Sequence, residues 1–219
     1  KKFLSKLWNI SRFLSSFPVI DLEYPAEPVK PKLWQEYLPT ELANEASDKW
    51  ILAELENLTG QCMESYDFCS FFEPAIKIRE FMWNVFAAQY IEMVKARAYG
   101  IGFSEKERDA AIFTLHKVLK DVLKLLAPIT PFITERVWQT LYSKDSIHKE
   151  IFPPSFPNST RVTTEWTAKT KDITEFNSKV WNEKKAKKLS LKDSIKSNIP
   201  ENLQEFKKDL VAMHNLKSD

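Results

Sequence analysis

Apolar residues at the start of the chain recur at helical spacing. Phe3, Leu7, Ile10, Leu14 and Phe17 form one stripe, while Ser5, Asn9, Arg12 and Ser16 follow another line. Positions three and four apart share a helix face, so the pattern predicts an amphipathic helix here. The periodicity lapses from residue 18 to 47, where Pro25, Pro28, Pro31 and Pro39 recur and Asp21, Glu23, Glu27, Glu36, Glu41 and Glu45 outnumber Lys30 and Lys32. This stretch reads as an acidic, extended connector. The pairs Leu33-Trp34 and Tyr37-Leu38 are expected to form a short turn that pins it to the core, because a free loop of this length is unusual in a compact domain. Ser47 is placed to cap a second helix, with Asp48 in its first turn and Trp50, Ile51, Leu55, Leu58 and Met63 along it, ending near Asp67.

A third helix is predicted from about Phe72, where Glu73 and Pro74 favour a first turn, to about Ala98, with Gly100 and Gly102 as its stop. Ile76, Phe81, Trp83, Phe86, Tyr90 and Val94 leave little of its circumference polar, which makes it the expected centre of a bundle. Ser104 and Glu107 have capping-box spacing and open a fourth helix. Its apolar side carries Ile112, Leu115, Leu119, Val122 and Leu126, and Lys117, Lys120, Asp121 and Lys124 are expected to face water. Pro128 breaks that helix, and Pro131 begins a fifth through Val137, Trp138 and Leu141. After a spacer at Pro153, Pro154 and Pro157, residues Lys169 to Lys188 read as a basic helix with Phe176 and Val180 turned inward. A last helix follows Pro200, from Leu203 to Leu216. The predicted fold is all-α: an antiparallel bundle of four to five helices over residues 1–158, connector 18–47 included, and a small, mainly helical, basic appendage over 159–219.

Composition narrows the function. Three glycines in 219 residues argue against phosphate-cradling loops and against a turn-rich all-β protein. Cys62 and Cys69 have neither a zinc spacing nor that of a disulfide framework, and are read as reduced, buried thiols. His116, His148 and His214 are too scattered for a local metal pair, and no Gly-x-Ser-x-Gly elbow occurs, so no catalytic site is identified. No apolar run reaches the roughly 20 residues of a membrane-spanning helix. The formal net charge is only +2, yet Lys179, Lys184, Lys185, Lys187 and Lys188 crowd one short stretch that contains a single acid, Glu183.

Ordered motifs along the chain resemble a known family. Lys6-Leu7-Trp8-Asn9 with Arg12-Phe13, Asp48-Lys49-Trp50-Ile51-Leu52, Leu126-Ala127-Pro128 with Pro131-Phe132-Ile133-Thr134-Glu135, and Ser146-Ile147-His148 resemble motifs of the anticodon-binding region in class I aminoacyl-tRNA synthetases for valine, isoleucine and leucine. Lys49 stands where the family usually has Arg. The central run Ile78 to Gly100 and the segment Glu175 to Trp181, continuing to Leu189-Ser190-Leu191, resemble the valyl-tRNA synthetases in their archaeal form. The catalytic signatures of that family, His-x-Gly-His and Lys-Met-Ser-Lys-Ser, are missing, and the chain opens in mid-motif at Lys1. It is therefore expected to be the C-terminal part of a larger synthetase, without catalytic or editing sites.

The resemblance implies a partner, the anticodon stem-loop of tRNA(Val), with the catalytic domain in cis. It implies no cofactor in this segment, ATP and Mg in the parent enzyme's catalytic domain, and a cytoplasmic protein, expected to be monomeric and free of membranes. Proteins read unstacked RNA bases by aromatic stacking and edge hydrogen bonds while cations hold phosphates. The candidate RNA-binding residues are accordingly Lys6, Trp8, Asn9 and Arg12 in the first helix, Trp83, Asn84, Tyr90, Lys95 and Arg97 in the third, and Lys184, Lys185, Lys187 and Lys188 in the basic helix. Trp83, Tyr90 and Arg97 recur every seven residues and should share a face, as a packed seam or as a stacking surface. An isoleucine-type domain, a free-standing tRNA-binding module and a purely protein-binding bundle stand as alternatives.

Overall fold

The computed structural model describes residues 2–20, 45–153 and 161–217. Most of connector 18–47, with its proposed turn, and Pro154 and Pro157 of the spacer lie outside the described residues. Helix α1 spans Lys2–Leu14, α2 Ala46–Asp67, α3 Phe72–Glu80, α4 Ile91–Ala98, α5 Glu105–Leu126, α6 Pro131–Leu141, α7 Arg161–Ala186 and α8 Lys207–His214. Between α3 and α4 the chain stays helical but widens into π turns over Phe81–Tyr90, so the three pieces form the one long helix predicted from Phe72 to Ala98. Among the described residues no strand forms, and an isolated parallel bridge joins Ile195 to Leu216.

Local chemistry fixes several ends. Ser104 accepts a hydrogen bond from the Glu107 amide while the Glu107 carboxylate accepts one from the Ser104 amide, which completes the capping box at α5. Pro131 opens α6 at the position where its missing N–H costs nothing. Gly100 closes α4 with a left-handed φ of 70° and donates to the Arg97 carbonyl, while Ile101 donates to that of Ala96. In a chain so poor in glycine, the same closing turn is made elsewhere by Cys69 after α2, Lys188 after α7 and Asn215 after α8, all at positive φ.

One buried cluster runs through the structure. Leu7, Ile10 and Leu14 of α1 share it with Trp50, Ile51 and Leu55 of α2, the Phe81–Phe86–Tyr90 column, the apolar face of α5, and Ile173, Phe176 and Val180 of α7. Side chains on both sides of the boundary expected near residue 158 contribute to it, and α7 packs along α2, where Trp50 Nε1 donates to Thr170 Oγ1 at 2.8 Å.

Three expectations need correction. Ser47 does not cap α2, which starts at Ala46 behind Glu45; its hydroxyl is buried and donates to Asp209. The polar side of α5 does not simply face water: Asp121 is buried and paired with Lys117, while the ammonium groups of Lys120 and Lys124 lie over the rings of Tyr142 and Trp138, 5.0 and 5.3 Å from the centroids. With Thr114, His116 and Asp121 buried as well as its apolar face, helix α5 shares the centre with the long helix. Of the two thiols only Cys62 is buried, with its pKa pushed up to about 12 by burial, whereas Cys69 is exposed.

Candidate nucleic-acid interface

Three of the predicted RNA contacts are core residues. Arg97 is fully buried and makes a bidentate pair with Asp48, both bonds at 2.7 Å, while its Nε donates to Asp209 at 3.1 Å and its second terminal nitrogen to Ser47 at 2.9 Å. Tyr90, also buried, donates its hydroxyl to Asp48 at 2.6 Å. Burial works against the guanidinium charge, but Asp48 and its hydrogen bonds override it, so the pKa of Arg97 stands above the ordinary range. Burial raises Asp209 to about 6 despite the opposing Arg97 charge. The result clamps α4, the start of α2 and α8 together. Lys184 is the third correction: its ammonium is buried and donates to the carbonyls of Leu191 and His214, at 2.7 and 2.8 Å, closing the C-terminal end of α8. Burial lowers its pKa. These groups have spent their hydrogen bonds on the fold.

Of the remaining candidates, Lys6, Trp8, Asn9, Arg12, Trp83 and Lys95 reach solvent where α1 lies beside the long helix. The two run in the same direction, since Lys6 sits 5.5 Å above the Trp83 ring and, farther along, Lys95 lies 5.8 Å from the ring centroid of Phe13. Trp8 and Trp83 are 45% and 40% exposed, large for aromatics with so much core to fill. Asn9 and Arg12 are exposed on α1, and Arg12 has no acidic partner among the described residues. Lys95 is held by Glu92 at 2.6 Å. The sequence reading missed Tyr99, which is 53% exposed and packs its ring edge against Phe13 and Phe17. Its signal was an aromatic residue immediately before a helix-closing glycine. Asn84 turns away from α1 toward α2, where it lines an open cleft.

A second cationic region lies at the end of α7. Lys185, Lys187 and Lys188 are exposed, and Lys187 is paired with Glu183 at 2.7 Å. Lys188 sits in the left-handed turn that closes the helix.

Away from these surfaces, the Glu135 carboxylate accepts hydrogen bonds from Ser146 Oγ and the Ile147 amide, at 3.0 and 2.9 Å. This bond ties two of the sequence motifs together and explains their pairing as structural. The family model for "Anticodon-binding domain of tRNA ligase" matches residues 48–199, from the aspartate that Arg97 clamps to beyond the basic helix. The chain belongs to that family. Across 98% of its length this anticodon-binding domain is 35% identical to a protein of Pyrobaculum aerophilum and 34% identical to one of Aeropyrum pernix, each named valine–tRNA ligase and each matched over 24% of its own length. The protein of that name in Nanoarchaeum equitans is 31% identical over 99% of the chain and 25% of its own length. The chain thus spans about a quarter of the length of these relatives. Among the described residues no helix is long and apolar enough to cross a membrane.

Proposed function

We propose that this domain binds the anticodon stem-loop of tRNA(Val) and positions it for ATP- and Mg-dependent attachment of valine by a catalytic domain in cis, as a monomer in the cytoplasm. The carrying observation is the α1 face, where cations and aromatics reach solvent together: Lys6 over Trp83, Arg12 with no acidic partner among the described residues, and Lys95 and Tyr99 around Phe13. Bases lifted from the loop stack on Trp83, Trp8 or Tyr99, and Asn9 and Arg12 hydrogen-bond to base edges or the loop backbone. Lys185, Lys187 and Lys188 hold phosphates farther along the RNA. The likeness to proteins named valine–tRNA ligase, over nearly the whole chain, favours valine over isoleucine within the family.

Fluorescence anisotropy tests the reading. Labelled stem-loops with the valine anticodon, and with its third base changed from C to U, are titrated with the chain across a salt series. Preference for the C-bearing loop, lost in Arg12→Ala or Trp83→Ala, supports it; equal affinity for both loops removes the valine assignment, and no binding at low salt removes RNA recognition by this domain.

A further inference from the structure

The long helix has a second outward side. Where Trp83 faces α1, its neighbour Asn84 faces α2, and a cleft of about 220 Å³ opens between α2, α3 and the π turns. This is below the roughly 300 Å³ at which drug-sized sites begin. Leu58 and Phe81, both buried, form an apolar floor. The rim carries three carboxamides, Asn57, Gln61 and Asn84, together with Lys77. Gln61 donates to Asn57 Oδ1 at 3.0 Å, a bond that orients both amides and leaves the Gln61 carbonyl as an acceptor and the Asn57 amide as a donor. Of the two acids at the cleft, Glu54 accepts from Thr170, and Glu80 is exposed on the rim, 4.0 Å from Arg79.

We propose that this cleft is a pocket for one unstacked base of the bound RNA loop, inserted flat against the Leu58 and Phe81 floor and read on its edge by Asn57, Gln61 and Asn84, with Lys77 on the adjoining phosphate. Carboxamides suit this task because each offers a donor and an acceptor side by side, as base edges do. A single planar ring system matches the small volume, and a polypeptide segment does not. Trp83 of the α1 face and Asn84 of the cleft are consecutive residues, so one base can stack on Trp83 while a neighbour turns into the cleft. This inference rests on the RNA-binding reading given above.

Abasic scanning crossed with substitution tests it. Stem-loops lacking one base at each loop position in turn are titrated against the wild-type chain, Asn84→Ala, Gln61→Leu, and Arg12→Ala, with circular dichroism confirming that each variant is folded. The expected result is one loop position at which base removal weakens wild-type binding about tenfold but leaves Asn84→Ala and Gln61→Leu unaffected, because they have already lost that contact. Arg12→Ala should retain the tenfold effect there. If base-removal effects add independently to the cleft substitutions at every position while Arg12→Ala still weakens binding, the cleft proposal fails and the RNA-binding reading stands. If the wild-type chain binds no stem-loop, both fail.

Discussion

Replacing His214 with Gln should make this protein gain stability in mild acid. The imidazole is buried and donates from Nε2 to Asn177 Oδ1 at 2.7 Å, since the Asn177 amide nitrogen is committed to Gln89 Oε1, also at 2.7 Å. Burial, followed by the nearby Lys184 charge, holds its pKa down to about 4, against 6.5 for a free histidine. Between these two values the unfolded chain binds more protons than the folded one, so this residue makes stability rise with pH across that window. At about 1.4 kcal/mol per pH unit, the contribution is about 3 kcal/mol. Asp209 acts in the opposite sense. Its pKa climbs from 3.8 to about 6, chiefly through burial, so the folded state holds the proton more tightly and stability falls by about 3 kcal/mol as pH rises through that range. The two slopes overlap and offset each other in the wild type.

His214→Gln keeps an N–H donor for Asn177 and removes the titration, which leaves the Asp209 slope unopposed. Relative to wild type, the variant should gain about 2 to 3 kcal/mol at pH 4.5 compared with its own value at pH 6.5. Asp209→Asn should show the reverse, losing stability steeply on acidification. Urea unfolding followed by tryptophan fluorescence at intervals from pH 4.5 to 7.5 measures both. Glu107, held at about 2 first by Lys208 and then by the Ser104 cap, titrates alike in all three proteins and cancels from the comparison. Parallel stability profiles for wild type and His214→Gln would refute the assignment of a buried neutral imidazole.

Further outcomes follow from the same structure. Arg97→Met strands Asp48 and Asp209 in the core and should cost about 3 to 5 kcal/mol, read as a large fall in the urea midpoint. Lys184→Met and Lys185→Ala should part company: the first lowers the melting temperature and leaves RNA affinity intact, and the second does the opposite, visible as paired calorimetry and anisotropy. Removing Lys185, Lys187 and Lys188 together should flatten the dependence of log Kd on log salt by up to about 2, at roughly 0.7 per phosphate contact on single-stranded RNA. Cys69→Gly, in an exposed left-handed closing turn, should raise stability by about 1 kcal/mol in thermal unfolding, because glycine adopts that φ without strain.

The bundle itself was legible because its signals are local. Apolar spacing placed α1 and the long helix, Ser104 and Glu107 placed the start of α5, and Pro131 placed that of α6, each within a few residues. The fate of the charged residues was not local and could not be read the same way. Arg97 looks like an RNA contact until its partners arrive from 49 and 112 positions away in sequence, and Lys184 until the α8 carbonyl 30 positions on is brought to it. A buried cation is a statement about distant acids and carbonyls, which spacing along one helix does not contain. Arg12 on α1 is exposed and has no acidic partner among the described residues, and Lys6 meets an aromatic ring, Trp83, rather than an acid. Left-handed helix ends at Cys69 and Lys188 also escaped notice, since neither residue type announces that conformation as glycine does.

The π turns explain the one periodicity that failed. Seven residues make nearly two α turns, so Trp83, Tyr90 and Arg97 ought to share a face. An i→i+5 turn takes up about one residue more than an α turn, and the stretch from Trp83 to Tyr90 lies wholly within such turns. The shift is visible in the core: Phe81 and Phe86, five apart, stack with ring planes 5° from parallel, and Phe86 stacks in turn on Tyr90. Tyr90 and Arg97, joined by seven residues of ordinary α-helix beyond the π segment, keep a common inward face and a common partner in Asp48. Trp83, on the far side of the shift, is rotated out toward Lys6. One helix can thus hold a buried ionic clamp at its C-terminal half and present an aromatic surface and a polar cleft at its middle, which an unbroken α repeat of the same residues would have turned into the core.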